Sequence, residues 1–460
     1  MPLSNPAANP VASTSERPAA ASTASAATDA PARPEGPRIY NLFPTLAGSV
    51  ADWERHLPAI AAMGFNWIFL NPFHEPGGSG SLYAIRDYYR LHPLLQGASR
   101  EPPPALLQRF TRAAEQAGLA VMMDLVINHT AQDSPLVTHN PDWYARGADG
   151  RVCAPFAVDP NDPGRVTVWE DLAELDYRPR PARQAILAYW QDLIDHYLDL
   201  GFRGFRCDAA YKLPGEVWQT LIAAARRRVP DACFFAETLG APMEQVAQLR
   251  PAGFDYFFNS AKWWDLRGEW LLEQYEQFRH LAPSVAFPES HDTERLAAAS
   301  GGNAQESRFW YLLTACFSSG VMMPMGFEHG FRRPLHVVET RPEHWEEPSF
   351  DLTDFIAEVN RMKAACPVLN EEGPQRSLTA ADDPLVGLLR SSTRSSERAA
   401  VLINADPHER RSLDIERLAG MLQARPEAIR EITPARERPA PLNGQAPIEL
   451  ATRSLRVFVV

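Results

Sequence analysis

The chain has 460 residues, of which 45% are hydrophobic, 10% aromatic and 22% charged, and Lys+Arg 45 against Asp+Glu 57 leaves a formal net charge of −12. That apolar fraction supports a sizeable core and excludes global disorder, while the acidic balance is the reverse of a nucleic-acid binder's and favours a neutral ligand over a polyanion. No run of roughly 18 apolar residues is present to span a membrane.

Residues 1–38 hold 11 Ala, 7 Pro, 5 Ser and 3 Thr and no aromatic residue. Such a segment cannot bury enough surface to offset its ordering entropy, so a disordered tail is expected, and it lacks the basic start and apolar stretch of a secretory signal. From Ile39 onward short apolar runs alternate with amphipathic stretches. The runs are Ile39–Phe43, Trp67–Leu70, Val121–Ile127, Phe202–Cys207, Cys233–Ala236, Phe254–Phe258, Val285–Phe287 and Val321–Met325. Helical patterns follow at 52–63, 104–117, 182–200, 214–228, 242–249, 268–280, 303–318 and 350–365. Eight strand-like runs, each followed by a helix, predict an α/β fold of the (β/α)8 barrel type over 39–372.

One connection is too long for a simple turn. About 129–180 is rich in Asp, Asn, Pro, Gly and His, with little periodicity, and reads as a loop-rich subdomain inserted after strand 3. Beyond 373 the pattern changes to strand-like runs at Leu385–Leu389, Ala399–Ile403 and Leu455–Val459, which predicts a small C-terminal all-β domain over 373–460. The five cysteines, Cys153, Cys207, Cys233, Cys316 and Cys366, lie far apart in an odd total with no CxxC pair. Reduced thiols and a cytoplasmic location are the expectation.

In a parallel barrel, polar residues at the C-terminal ends of strands are placed for chemistry. Strand 3 runs into Asp124, Asn128 and His129; strand 4 ends Gly204-Phe-Arg206-Cys-Asp208; strand 5 ends at Glu237; strand 7 precedes His291-Asp292. Asp208, Glu237 and Asp292 therefore converge at the barrel mouth. A glycosidic bond is cleaved by such a set, one carboxylate at the anomeric carbon and one acid at the leaving oxygen. Arg206, two residues before Asp208 on the same strand face, favours the ionised form that a nucleophile needs. Glu237 follows Phe234-Phe235-Ala236, a dry setting that favours the protonated form. Cys207 faces the other way and is expected to pack.

These motifs resemble the α-amylase superfamily, glycoside hydrolase family 13. Asp124 to His129 is similar to its D-x-x-x-N-H region, Gly204 to Asp208 to its G-x-R-x-D region, Glu237 to its acid/base, and His291-Asp292 to its H-D pair. Tyr83, Asp87 and Tyr88 match a Tyr-x-x-x-Asp-Tyr motif, and Leu172 to Asp176 loosely matches the short motif closing the insert. The resemblance covers about Arg38 to Val460. It implies Asp208 as nucleophile, Glu237 as general acid/base and Asp292 as transition-state stabiliser. It further implies substrate contacts from Tyr83, Asp87, His129, Arg206 and His291, with Tyr83 stacking on a sugar ring.

Where many α-amylases carry Lys-His after the nucleophile, this chain has Tyr211 and Lys212, so Lys212 marks a different subsite. The text at 139–144 and 236–238 resembles the maltosyltransferase branch. The implied substrate is an α-1,4-glucan or malto-oligosaccharide cleaved with retention; the alternatives are maltosyl transfer using maltose 1-phosphate, phosphate or a glucan acceptor, and a non-catalytic glucan-binding relative. No cofactor is required by this chemistry, neither nucleic acid nor membrane is an expected partner, and Asn128 matches a calcium-ligating position, with Asp133, Asp142, Asp159 and Asp162 nearby. Trp263, Trp264 and Trp310 are candidate sugar platforms.

Overall fold

The computed structural model describes residues 35–159, 162–438 and 447–460. Most of the expected disordered tail, residues 1–34, lies outside the described residues. Residues 36–38, however, already belong to the fold. Gly36 and Pro37 are buried and Arg38 opens the first strand. The backbone N–H of Arg38 donates to Asn66 Oδ1 at 2.7 Å and its Nε to the Gly64 carbonyl at 2.8 Å, which fixes the chain before the expected boundary.

Eight parallel strands close into a barrel in chain order: Arg38–Leu42, Trp67–Leu70, Ala120–Leu125, Gly204–Cys207, Cys233–Ala236, Tyr256–Ser260, Ser284–Phe287 and Gly320–Pro324. Both faces of each strand are buried, as parallel sheets require. Ile39, Trp67, Phe69, Met122, Phe235, Phe258, Phe287 and Met322 form one cluster inside the barrel. Their alternating neighbours, among them Ile68, Leu70, Val121, Met123, Phe205 and Phe234, pack outward in the main core. Fully burying each such side chain stabilises the fold by roughly 1.5–3 kcal/mol. The same alternation sends Gly204 and Arg206 inward and Cys207 outward, where Cys207 is completely buried. A Cβ at Gly204 would meet the Trp67 ring at 2.7 Å and Met122 Cβ at 2.8 Å, so glycine makes room for the indole.

Helices cover the barrel. Pro103–Gln116 starts on a proline, which fits the first helical position, and buries Leu106, Leu107, Phe110 and Ala114 along one stripe. Two excursions rise above the strand ends. An antiparallel hairpin of His74–Pro76 and Ile85–Leu91 follows the second strand and had no counterpart in the sequence pattern. The insert after the third strand pairs His129–Ala131 with Leu172–Glu174 and projects a second hairpin, Phe156–Asp159 with Asp162–Val168.

After helix Thr353–Ala364 comes a five-stranded antiparallel sheet, in the spatial order Gln375–Ser377, Val386–Ser391, Arg398–Asn404, Ser454–Val459, Arg430–Glu431. One helix, Ile415–Leu422, joins a small core with Leu389, Leu402 and Phe458. Two buried cations cap helix Ala304–Phe317, and the second of them, Arg390 of the sheet, binds this region to the barrel. Lys363 Nζ donates to the carbonyls of Ala315 at 2.9 Å, Ser318 at 2.7 Å and Leu369 at 2.6 Å. Arg390 donates to the carbonyls of Cys316, Phe317 and Glu371. Among the described residues, no helix is long and apolar enough to cross a membrane.

Candidate active site

Arg206 stands at the centre of the barrel mouth. Its Nη1 donates to Asp124 Oδ1 at 2.9 Å, Asp124 Oδ2 at 3.0 Å and Asp208 Oδ1 at 2.6 Å, and its Nη2 lies 3.9 Å from Glu237 Oε2. Three carboxylates from three adjacent strands thus share one permanently charged guanidinium, a planar donor suited to such bridging. The Arg206 side chain is 6% exposed and that of Asp124 is fully buried, so each interaction acts where water screens little.

The two expected reacting acids differ in environment. Asp208 ends its strand against Arg206. Glu237 is buried, and burial pushes it up to about 7; the nearby negative Asp208 adds to this, while Arg206 and the N–H groups of Leu239 and Ala209 oppose it. Those two N–H groups donate to Glu237 Oε1 at 2.6 Å and Oε2 at 2.9 Å and fix the carboxyl plane. Ala209 adopts a left-handed backbone (φ 40°), a conformation unfavourable for a residue bearing a Cβ, at the position that delivers its N–H to Glu237.

A hydrogen-bonded chain braces the other side. Asn41 Nδ2 donates to Asn71 Oδ1 at 2.8 Å, and Asn71 Nδ2 reaches His291 Nδ1 at 3.2 Å and Tyr83 Oη at 3.1 Å. Since an amide N–H can only donate, His291 Nδ1 accepts, and its Nε2–H faces Tyr83 Oη at 2.9 Å and Asp292 Oδ2 at 3.2 Å. Tyr83 in turn donates to Asp124 Oδ2 at 2.7 Å. Its ring lies parallel to that of His291, with centroids 5.5 Å apart. His129 Nε2 donates to the Tyr83 carbonyl at 3.1 Å. Burial holds both histidines below the usual imidazole range, so they are neutral donors at neutral pH. The Asp292 side chain is 62% exposed at the cleft edge.

Two lobes of one cleft meet at Asp208, Glu237 and Asp292. The first, about 400 Å³, is walled by Tyr83, Asn128, His129, His291 and the insert residues Phe156, Trp169 and Glu174, with Tyr211 and Lys212 opposite. The second, about 580 Å³, is lined by Trp263, Trp264, Trp270, Asn259, Ser260 and Thr293 among others. Trp263 is 73% exposed there, whereas Trp264 is buried against Phe317 and Trp310 packs beside Phe309, away from either lobe.

Of the residues singled out from the sequence, Asp208, Glu237, Asp292, Tyr83, His129, Arg206, His291, Lys212 and Asn128 come together at this cleft. Asp87 does not. It lies in the hairpin strand opposite Glu75, where its carboxylate accepts from the Tyr89 N–H at 2.9 Å. Tyr88 of the same motif is structural, its buried hydroxyl donating to the Val126 and His129 carbonyls. Sequence reasoning overlooked Asn41 and Asn71, although Asn71 directly follows the second strand, the position that flags site residues elsewhere in the barrel.

Asn128 Oδ1 is buried without a hydrogen-bond partner among the described residues, and its backbone carbonyl accepts from Leu175 N–H. Asp133 accepts from Gly78 N–H and faces Arg86 at 3.8 Å. The side chains of Asp159 and Asp162 lie outside the described set. Among the described residues no group of three or more His, Cys, Asp or Glu side chains is gathered for a metal.

A family model for the glucanotransferase domain of glycogen debranching enzyme matches residues 35–146. The chain is 29% identical over 383 residues to an alpha-1,4-glucan:maltose-1-phosphate maltosyltransferase of Burkholderia pseudomallei, covering 80% of this chain and 33% of that protein. A maltosyltransferase of the same description from Myxococcus xanthus is 25% identical over 430 residues, covering 85% and 62%. The chain thus spans between a third and about three-fifths of the length of these relatives. Among solved structures, an α-amylase of Geobacillus thermoleovorans complexed with acarbose superposes with a TM-score of 0.70 at 17% identity, over 92% of this chain and 98% of that one. Taken with the closed barrel and the ordered motifs at its strand ends, these likenesses support an α-amylase-family (glycoside hydrolase family 13) protein near the maltosyltransferases.

Proposed function

We propose that this protein cleaves α-1,4-glucans or malto-oligosaccharides with retention, through a covalent glycosyl-enzyme, and passes the glycosyl group to water or a sugar hydroxyl. The observation that carries this reading is the pair of unlike carboxyls around Arg206, with Asp208 in direct ion pair and Glu237 buried and pushed up to about 7. In the first step an Asp208 oxygen bonds to the anomeric carbon as the bond to the leaving oxygen breaks, and Glu237 gives that oxygen its proton. In the second, Glu237 takes a proton from the incoming hydroxyl, whose oxygen displaces Asp208 from the same carbon. Asp292, at the junction of the lobes, offers negative charge to the oxocarbenium-like transition state. The neutral His129, whose Nε2–H is held by the Tyr83 carbonyl, offers its other ring nitrogen to a sugar hydroxyl at the same point, while His291 orients Tyr83 and Asp292. Retention further requires the two carboxyl groups to stand about 5–5.5 Å apart.

A second reading, maltosyl transfer from maltose 1-phosphate, is favoured by the names of the relatives and by the ammonium of Lys212 in the first lobe. The test of the first reading is an NMR time course with maltoheptaose: α-configured shorter or redistributed products are expected from the wild-type chain and none from Asp208→Asn. Initial products of β-configuration, or an Asp208→Asn variant as active as wild type, overturn it.

A further inference from the structure

The loop after the sixth barrel strand holds two indoles open to solvent inside the second lobe. Its first turn is set by Ser260, whose hydroxyl accepts from the Lys262 N–H at 3.4 Å, and by the Trp264 N–H, which donates to the Ala261 carbonyl at 3.1 Å. Trp264 is the anchor: its ring lies 4.3 Å from that of Phe317 and its Nε1 donates to Asn259 Oδ1 at 3.3 Å. Its neighbour Trp263 is thereby turned into the lobe, 73% exposed. Further on, Arg267 donates to the carbonyls of Ala381 at 3.1 Å, Asp383 at 2.7 Å and Pro384 at 3.1 Å and pins the loop to the C-terminal region. A Cβ at Gly268 would meet the Trp270 indole at 2.7 Å, so glycine makes room for this second ring, which is 40% exposed and also lines the lobe.

The two lobes have unlike walls. Away from the reacting acids the first still offers Asn128, His129, Asp171, Glu174 and Lys212, charged or strongly hydrogen-bonding groups suited to a ring covered in hydroxyls. In the second, every described lining residue other than Arg206, Asp208, Glu237 and Asp292 is uncharged, and six are aromatic: Phe257, Phe258, Trp263, Trp264, Trp270 and Phe278. Its amides are Asn259 and Gln274, and Asn259 Oδ1 already serves Trp264. Thr293 Oγ1 accepts from the Ser290 N–H at 2.9 Å and donates to the Ser290 carbonyl at 3.3 Å, so part of its capacity is used within the protein. A pyranose can stack on an indole, but each hydroxyl it brings out of water needs a new partner. A flat apolar ring has no such need and gains in proportion to the area it covers.

We infer that the second lobe receives alcohols bearing an aromatic ring, laid against Trp263 and Trp270, and that the protein transfers glycosyl groups to them. This rests on the proposed double displacement at Asp208 and goes beyond it in naming a further acceptor class. The alcohol oxygen bonds to the anomeric carbon as the bond from that carbon to Asp208 breaks, and Glu237 takes the hydroxyl proton. The product is the α-glycoside of the alcohol, Asp208 returns to its carboxylate, and nothing is oxidised or reduced. The ring that fills the lobe also displaces the water that would otherwise compete for the glycosyl-enzyme.

The test incubates the full chain with maltoheptaose alone, with benzyl alcohol, and with D-glucose at the same concentration, and follows products by proton NMR and chromatography. The readout is the partition ratio, glycosyl groups found on the added acceptor over those released to water. Benzyl glycosides of α-configuration are expected, with a partition ratio about tenfold above that for glucose. Trp263→Ala should lower the ratio for benzyl alcohol about three- to tenfold, and Trp263→Phe, which keeps a ring, should hold most of it. Because the ring is exposed and the ratio is internal to each tube, neither folding yield nor total rate enters the result. Transfer to glucose equal to or above transfer to benzyl alcohol assigns the lobe to a sugar and overturns the inference, leaving the carboxylates as read. Cleavage without transfer to benzyl alcohol does the same, and an unmoved ratio in Trp263→Ala overturns the platform. No cleavage of maltoheptaose in any tube overturns the proposed displacement, and the inference with it.

Discussion

Arg206 Nη1 donates to Asp208 at 2.6 Å while the same nitrogen bridges both oxygens of Asp124. One nitrogen therefore couples the expected nucleophile to a buried acid on the neighbouring strand. Arg206→Ala leaves two or three carboxylates without their counter-ion in a site that excludes water. We expect loss of activity on maltoheptaose by at least a hundredfold and a fall in stability of about 3–5 kcal/mol, read by urea unfolding. Arg206→Lys, which keeps charge but not the fork, should recover stability better than activity.

Glu237 has its folded-state pKa raised to about 7, above the usual carboxyl range. In its proposed role as proton donor of the first step it is competent only when protonated, so kcat should fall as pH rises through about 7. The stability consequence has the same sign. A group with a raised folded pKa contributes fully below its unfolded value and loses that contribution as pH climbs through the folded one. Glu237→Gln should therefore be inactive, yet more stable than wild type at pH 8 by about 1–3 kcal/mol, with the advantage shrinking towards pH 4.5. An equal difference in urea midpoint at both pH values would count against burial as the cause.

Asn71 acts through others, holding His291 Nδ1 and Tyr83 Oη with its two amide hydrogens. Asn71→Leu removes both bonds and one of the two acceptors of Asn41 Nδ2, leaving it the Phe69 carbonyl. We expect kcat to drop about 10- to 100-fold, accompanied by a change in the pH profile as His291 loses its fixed tautomer. A loss of thermal stability with an unaltered pH profile and kcat would show a purely structural role.

Lys363 Nζ satisfies three backbone carbonyls in full burial. Lys363→Ala strands those acceptors and opens a cavity, so a cost of about 3–5 kcal/mol is expected in denaturant unfolding. The catalytic residues lie elsewhere, and the folded fraction should turn over maltoheptaose normally.

The described residues gather no group of three His, Cys, Asp or Glu side chains around Asn128. Chelation with EDTA followed by desalting is therefore expected to leave both Tm and the rate on maltoheptaose unchanged, and addition of calcium to raise neither. A Tm raised by several degrees on adding calcium would show that a site is completed by oxygens other than those described.

The barrel was legible in the sequence because its strands are buried on both faces. Trp67–Leu70 and Cys233–Ala236 stand as uninterrupted apolar runs with the same bounds as the strands they form. The acids after those runs were legible for the same reason, since the end of a strand fixes where its next side chain goes. The hairpin at His74–Pro76 and Ile85–Leu91 was not, because His-Glu-Pro carries no alternation and the longer strand mixes buried and partly exposed positions. The place of Asp87 was hidden with it: motif spacing cannot tell which side of an unrecognised hairpin a residue takes. The cross-strand pairing that sets Phe156 beside the cleft is likewise a matter of register, which local composition does not determine.

Gly204 leaves space for Trp67 at the floor of the barrel, four residues before Asp208. In a strand, inside and outside are assigned by parity, so a shift of one residue would send Arg206 into the helix layer and turn Cys207 inward. The missing Cβ thus works as a registration mark. It lets only one parity close over the indole, and which side chains face the mouth beside Asp208 is settled by a clearance at the opposite end of the same strand.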